Sequence, residues 1–254
     1  MTPVLITGFH RSGTSAVARI LHSASLDFGD NLLGADPSNP HGHFEDLDVI
    51  DAHDAALARC GLTWKSPTTC PSPRPELGEF IATFAANRSR TGQPWAIKDP
   101  RLCLFASDWL EHLPDAKVIV VLRRPGPAID SLHRRHVRRY VDTRQIDPTD
   151  LAFWQQPDLA LALWTHYYDQ VLALTRSGLF SKSNMIVADF DNRESLNDLP
   201  ALCNARWGLG LSATATDAVD PALGVDIDSV QSIEVRDREL ITRAGHVWTA
   251  LSSR

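Results

Sequence analysis

The sequence predicts an α/β fold: one doubly wound domain over residues 1–254, with a central, mostly parallel sheet flanked by helices. Three stretches predict it. Residues 4–6, Val-Leu-Ile, form a strand-length apolar run that breaks at Gly8 and Gly13. The chain then resumes as Ala-Val-Ala-Arg-Ile-Leu over residues 16–21, with apolar residues at helical spacing. Residues 95–97 form a second short apolar run, and Lys98, Asp99 and Arg101 leave its end. Residues 116–122 are the clearest strand, apolar and rich in β-branched residues, as suits a parallel strand covered on both faces. Arg123-Arg124-Pro125-Gly126 stops that strand, and Pro127 suits the first turn of the helix that follows.

At 254 residues the chain is long enough for one large domain with a sizeable core. Its formal net charge of −6 argues against a general nucleic-acid-binding role. The N-terminus has no basic flank and apolar core of a signal peptide, and no apolar run reaches the length of a membrane span. Four cysteines (Cys60, Cys70, Cys103 and Cys203) show no Cys-x-x-Cys pairing. They read as mostly buried, reduced thiols of a cytoplasmic protein, with a Cys60–Cys70 pairing left open.

In chain order, the first helix is expected over residues 16–28 and a polar loop with Gly, Pro and Asn breakers over 29–43. A helix follows over 47–58, and a proline-rich irregular segment leads to another over 75–87. Residues 128–140 read as a helix with Ile129, Leu132, His136 and Tyr140 on one face and Ser131, Arg134, Arg135, Arg138 and Arg139 on the other. Two helical segments are expected in 151–177, a strand over 184–191, and helices over 196–207 and 228–251. Trp164, Tyr167 and Tyr168 read as core residues.

Strand, glycine loop and helix together form a phosphate cradle. Backbone N–H groups and the positive end of the helix converge on an anion. His10, Arg11, Ser12, Gly13, Thr14 and Ser15 make up the loop. Its hydroxyls donate, and Arg11 offers a charged fork suited to phosphate oxygens. The spacing Gly8-x-x-x-x-Gly13 is that of nucleoside triphosphatases, but Thr14 stands where they need lysine, which argues against ATP or GTP. Seven arginines lie between Arg123 and Arg144 against Asp130 and Asp142, a basic block in an acidic protein that suggests an anionic ligand.

Gly-Phe-His-Arg-Ser-Gly-Thr-Ser resembles the 5′-phosphosulfate loop of sulfotransferases that use 3′-phosphoadenylyl sulfate (PAPS), in the bacterial and Golgi-type form. Asn39-Pro-His-Gly-His-Phe-Glu45 is similar to a segment of many bacterial members, with His43 in the aromatic place. In heparan-type enzymes a glutamate of that segment takes the acceptor's proton. The resemblance therefore implies Glu45 as the base, with His43 as the second candidate; a reading of Glu45 and Asp46 as plain first-turn residues stays open. Lys98-Asp-Pro-Arg101 resembles a run of bacterial members and the Lys-(Thr/Ser)-Pro of Golgi enzymes, whose lysine is catalytic. The bland alternative is an Asp99–Arg101 turn beside a solvated Lys98.

The family's 3′-phosphate site has an arginine at a strand end and a serine eight residues later, a spacing that Arg123 and Ser131 match. The resemblance covers roughly residues 3–135 and a Leu-Trp-x-x-Tyr helix near Trp164. The late Arg-Lys-Gly loop and the adenine-stacking tryptophan of cytosolic members are absent. Asp189-Phe190-Asp191 is a loose version of the family's Tyr-Glu-Asp-Leu and reads as structural.

The implied reaction is sulfonate transfer from PAPS to a hydroxyl of a small-molecule, glycan or lipid acceptor, releasing 3′,5′-bisphosphoadenosine (PAP). It would use Arg11 and Lys98 as charge stabilisers and no metal, in a chain that often pairs as a homodimer in this family. The alternatives are a P-loop small-molecule kinase and a non-catalytic nucleotide-binding protein.

Overall fold

The computed structural model describes residues 2–36, 39–143, 148–212 and 235–254. Its strands are β1 (Pro3–Thr7), β2 (Trp95–Lys98), β3 (Lys117–Leu122) and β4 (Met185–Asp189). Its α-helices are α1 (Thr14–Ser23), α2 (Leu47–Arg59), α3 (Pro75–Arg88), α4 (Leu102–His112), α5 (Pro125–Thr143), α6 (Pro148–Gln155), α7 (Leu159–Arg176), α8 (Arg193–Asn197), α9 (Leu199–Trp207) and α10 (Arg238–Ser252).

The strands pair in parallel in the order β2-β1-β3-β4. Side chains alternate between the two faces of a strand, and here both faces are apolar. Leu5, Ile97, Val118, Val120 and Leu122 point into a core built with α2, α3, α4, α5, α7 and α10. Val4, Ile6, Ala96, Ile119, Val121, Ile186 and Ala188 point into a second core built with α1, α8 and α9. The sheet is therefore covered on both sides, which is the doubly wound arrangement. Strand order reverses between β1 and β3, so the loops that follow these two strands open a crevice at their carboxyl ends.

Several boundaries differ from the sequence reading. The first helix ends at Ser23 rather than at residue 28, because Ser25 takes a left-handed backbone (φ 73°) that turns the chain toward β2. There Asp27 pairs with Trp95. The helix expected over 196–207 is split into α8 and α9 at Asp198, where Pro200 enters the first turn of α9. Helix α5 starts three residues earlier than residue 128, at Pro125, and Tyr140 is exposed while Ile129, Leu132 and His136 are buried. Helix α4 follows β2 directly and was not anticipated. Of the helix expected over 228–251, residues 228–234 lie outside the described residues; α10 begins at Arg238, capped by Asp237. Cys70, Cys103 and Cys203 are buried, and all four cysteines are free thiols, with Cys60 and Cys70 in contact.

Trp164, Tyr167 and Tyr168 are fully buried in the core, as expected. Tyr168 also joins helix α7 to the phosphate loop. Its hydroxyl donates to the Val121 carbonyl at 2.7 Å, lies 3.0 Å from Ser12 Oγ and accepts the Phe9 N–H at 3.2 Å. Burial raises its pKa, so the group stays protonated and able to donate. Replacing Tyr168 with Phe leaves a buried N–H and a buried carbonyl short of a partner. It is expected to cost about 1–3 kcal/mol, read as a lower midpoint in chemical denaturation.

Candidate active site

The loop between β1 and α1 is shaped by two glycines. A Cβ on Gly8 would sit 2.3 Å from the Val121 carbonyl oxygen, so the loop can press onto β3 only without one. Gly13 has φ 91°, and a Cβ there would stand 2.0 Å from the Phe190 ring. Gly13 is the N-cap of α1. It brings no capping side chain, and the first turn holds no acidic residue. Asp46 and Asp237, by contrast, cap α2 and α10 with their carboxylates. The positive end of α1 is thus met by no capping side chain of its own and faces the cleft described below.

Arg11 (φ 66°) projects from the middle of this loop. Its Nε donates to Ser131 Oγ at 3.1 Å, and its carbonyl accepts a hydrogen bond from Arg123 at 2.9 Å. The two stretches that the sequence marked as separate phosphate sites are therefore hydrogen-bonded to each other. Arg123 leaves the end of β3, with Trp164 donating to its carbonyl at 3.1 Å, and its guanidinium lies 3.9 Å from Asp191 and 5.1 Å from the Phe190 ring. Burial, reinforced by Arg135 and Arg123, pushes the Arg11 guanidinium down to about 10. It remains charged at neutral pH, and an incoming anion would relieve the repulsion.

Across the crevice, Lys98 ends β2 and is only 2 % exposed, which rules out the solvated alternative. Its Nζ donates to Glu45 Oε1 at 2.5 Å and to Ser15 Oγ at 3.1 Å. Asp46 is the residue that caps α2, accepting from the N–H groups of Asp48 and Val49. Glu45, one position earlier, is free of that duty and faces Lys98. Its backbone is fixed by a Leu33 N–H to Glu45 carbonyl bond of 2.7 Å. His43 accepts the Ser15 hydroxyl through its own carbonyl at 3.3 Å, and its Nε2 lies 3.2 Å from Asp36.

The turn after Lys98 is held from below. Asp99 is fully buried and accepts the Arg101 N–H at 2.8 Å and the Arg101 guanidinium at 3.1 and 3.2 Å. Trp109 donates to His53 Nε2 at 2.9 Å, so the His53 proton sits on Nδ1, which donates to Asp99 at 3.0 Å. Burial alone would raise the Asp99 pKa, but Arg101 and His53 hold its carboxyl well below the usual carboxylate range. Arg101 also reaches Asp54 at 3.2 Å, so its guanidinium is held in ion pairs with Asp99 and Asp54.

One cleft collects these groups. His10, Arg11, Gly13, Thr14, Ser15, His43, Glu45, Lys98, Arg123 and Ser131 all border it. Ser12 does not; it is buried beneath the loop against Tyr168. Arg135, Asn39 and Phe190 border it without having been singled out as site residues. For Arg135 a signal was present, because it stands one helical turn beyond Ser131. For Phe190 there was none, since only the parallel pairing of β3 with β4 brings it beside Gly13. Among the described residues no group of three or more His, Cys, Asp or Glu could hold a metal ion.

The model of the sulfotransferase family matches residues 3–187, most of the chain. The chain belongs to this family. A sulfotransferase from Alicyclobacillus acidocaldarius shares its fold over 100 % of this chain and 93 % of that one, at TM-score 0.51 and 16 % identity. Sulfotransferase STF1 from Mycobacterium tuberculosis H37Rv does so over 96 % of this chain and 76 % of that one, at TM-score 0.52 and 14 % identity. No curated protein matches the sequence. No helix among the described residues of this sulfotransferase is long and apolar enough to cross a membrane.

The turn behind Lys98 is testable by stability. Asp99→Asn removes the charge that balances a buried guanidinium and is expected to cost about 3 kcal/mol in chemical denaturation, part of the loss being offset by Asp54. A change below about 0.5 kcal/mol would show that the Asp99 charge does not hold this turn.

Proposed function

We propose that this sulfotransferase moves the sulfonate group of PAPS to a hydroxyl of a small-molecule, glycan or lipid acceptor, releasing PAP. The observation that carries this reading is the joining of two anion-binding elements in one cleft, through the Arg11 contacts with Ser131 and Arg123, opposite the Lys98–Glu45 pair. The N-terminal turn of α1 and Arg11 receive the 5′-phosphosulfate, and Arg123 with Ser131 receives the 3′-phosphate. Phe190, beside Arg123, offers a flat ring to the nucleoside between them.

The chemistry follows from the charges. The acceptor oxygen forms a bond to sulfur as the bond from sulfur to the bridging oxygen breaks. Negative charge gathers on that bridging oxygen, and Arg11 and Lys98 stabilise it. The acceptor's proton passes to Glu45. In the resting site Lys98 is bound to Glu45, which neutralises both buried charges. As charge develops on the leaving oxygen, Lys98 gains a second anionic partner and Glu45 becomes a better proton acceptor. Ser15, hydrogen-bonded to Lys98 and to the His43 carbonyl, links the phosphosulfate loop to the acceptor side. His43, tied to Asp36, is the alternative base.

Calorimetric titration with PAP, beside ATP–Mg²⁺, tests the donor. Wild-type protein is expected to bind PAP, and Arg123→Ala to weaken that binding by about tenfold or more. Binding of ATP–Mg²⁺ alone would overturn the reading in favour of a kinase. With a turning-over acceptor, Glu45→Gln is expected to lower kcat by about 10²- to 10⁴-fold while PAP affinity stays within about twofold.

A further inference from the structure

Arg135 differs from the other cations of α5. Arg134 pairs with Asp130, and Arg139 approaches Asp150 at 3.9 Å. Arg135 is half-buried and borders the cleft, yet it makes no hydrogen bond or ion pair among the described residues. Its contact is with an aromatic face: the guanidinium lies 5.9 Å from the Trp64 ring centre. Trp64 in turn packs 4.2 Å from the His10 ring, another wall of the cleft, and 6.1 Å from Phe153. The segment around residue 64, uninformative in sequence, thus forms a flat support behind His10 and Arg135.

Arg123 precedes the first turn of α5, whereas Arg135 lies ten residues into that helix, about 15 Å further along its axis, against Trp64 rather than Phe190. The acidic groups acting on Arg135 are Asp150, Glu45 and Asp36, whereas those acting on Arg123 are Asp191 and Asp130. Arg135 therefore belongs with Glu45 and His43 rather than with the 3′-phosphate residues. Burial weakens its hold on its proton, as expected for a guanidinium taken from water without a carboxylate partner. The donor's two anionic ends are already matched by α1 with Arg11 and by Arg123 with Ser131. One cation is left over, beside the proposed base.

We infer that Arg135 is the acceptor-recognition residue, and that the acceptor carries a carboxylate or similar small oxyanion as well as the hydroxyl that receives the sulfonate. This rests on the sulfotransfer reading above. A guanidinium fork braced on an indole presents two parallel N–H donors to an oxyanion. It also offsets the repulsion that Glu45 would exert on an anionic substrate. His10, packed on the same indole, also borders the cleft; burial, aided by Arg101, keeps its imidazole neutral, so it adds no competing positive charge. Neutral hydroxyl compounds would leave the Arg135 charge without a partner and would be selected against.

The test uses the full chain loaded with PAP and two pairs of probes, 4-hydroxybenzoate against 4-hydroxybenzamide and glucuronate against glucose. Affinities are measured by calorimetric competition for wild type, Arg135→Gln and Arg135→Lys. At least one carboxylate probe is expected to bind wild type about tenfold or more tightly than its neutral twin. Arg135→Gln is expected to abolish that preference, and Arg135→Lys to restore part of it, because it keeps the charge but not the fork. PAP affinity is expected to stay within about twofold in both variants, which also reports that they fold. Equal binding of each charged probe and its neutral twin to wild type would overturn the inference whatever the variants do. A tenfold loss of PAP affinity in the folded Arg135 variants would assign the residue to the donor. Failure of wild type to bind PAP at all would overturn the donor reading first and this inference with it.

Discussion

The close seating of the Gly8–Gly13 loop on the end of β3 is the constraint on which the rest of the site depends. Gly8 meets the Val121 carbonyl where any side chain would collide, and Arg123 then reaches back to the Arg11 carbonyl. Tyr168 closes the junction from inside, touching Phe9, Ser12 and Val121 with one hydroxyl. Through these contacts the end of β1 and the end of β3 behave as one surface. The spacing between the two ends is therefore set by the pairing of neighbouring parallel strands, not by a flexible loop, which suits the doubly anionic donor proposed above.

Charge is managed in two ways around that surface. Below it, Asp99, Arg101, His53 and Trp109 saturate one another, and the Asp99 carboxyl stays ionised in a fully buried place. This network carries no cleft-facing group of its own; its work is to fix the turn that follows Lys98. At the cleft, cations outnumber acids. Among the described lining residues Arg11, Lys98, Arg123 and Arg135 stand with one carboxylate, Glu45, while Asp191 lies 3.9 Å from Arg123 behind it, in a protein whose net charge is −6. Such a concentration of buried cations is costly unless an anion joins it, which is the physical basis of both the function and the acceptor proposed for this sulfotransferase.

Much of the site was legible because its chemistry rides on local patterns. The glycine spacing, Arg11, and the eight-residue step from Arg123 to Ser131 are set by a strand–loop–helix geometry that a sequence displays directly. Glu45 was legible as a residue but not as a role, since it stood next to a capping aspartate; only the approach of Lys98, 53 residues later in the chain, shows that Asp46 caps and Glu45 does not. Ser12 carried the same loop signal as its neighbours, yet it turns inward because Tyr168, 156 residues later, waits for it. Boundaries failed where a single backbone torsion decided them, as at Ser25, or where a proline arrived one residue inside a continuous apolar pattern, as at Pro200.

By itself the sequence determined the fold class and marked the loops proposed to bind the donor's anionic groups. Short β-branched apolar runs bounded by turn residues suit strands covered on both faces, and the two glycines suit a loop pressed close against its neighbours, Gly8 on the Val121 carbonyl and Gly13 on the Phe190 ring. The tertiary structure alone decided which cations share a cleft and which pair off in the core. It took Phe190 from beyond β4, Arg135 from α5 and Trp64 from a proline-rich connection, and set them around Arg11 and Glu45. Those distances depend on sheet order and helix packing, which join residues far apart in the chain and leave no local trace in it.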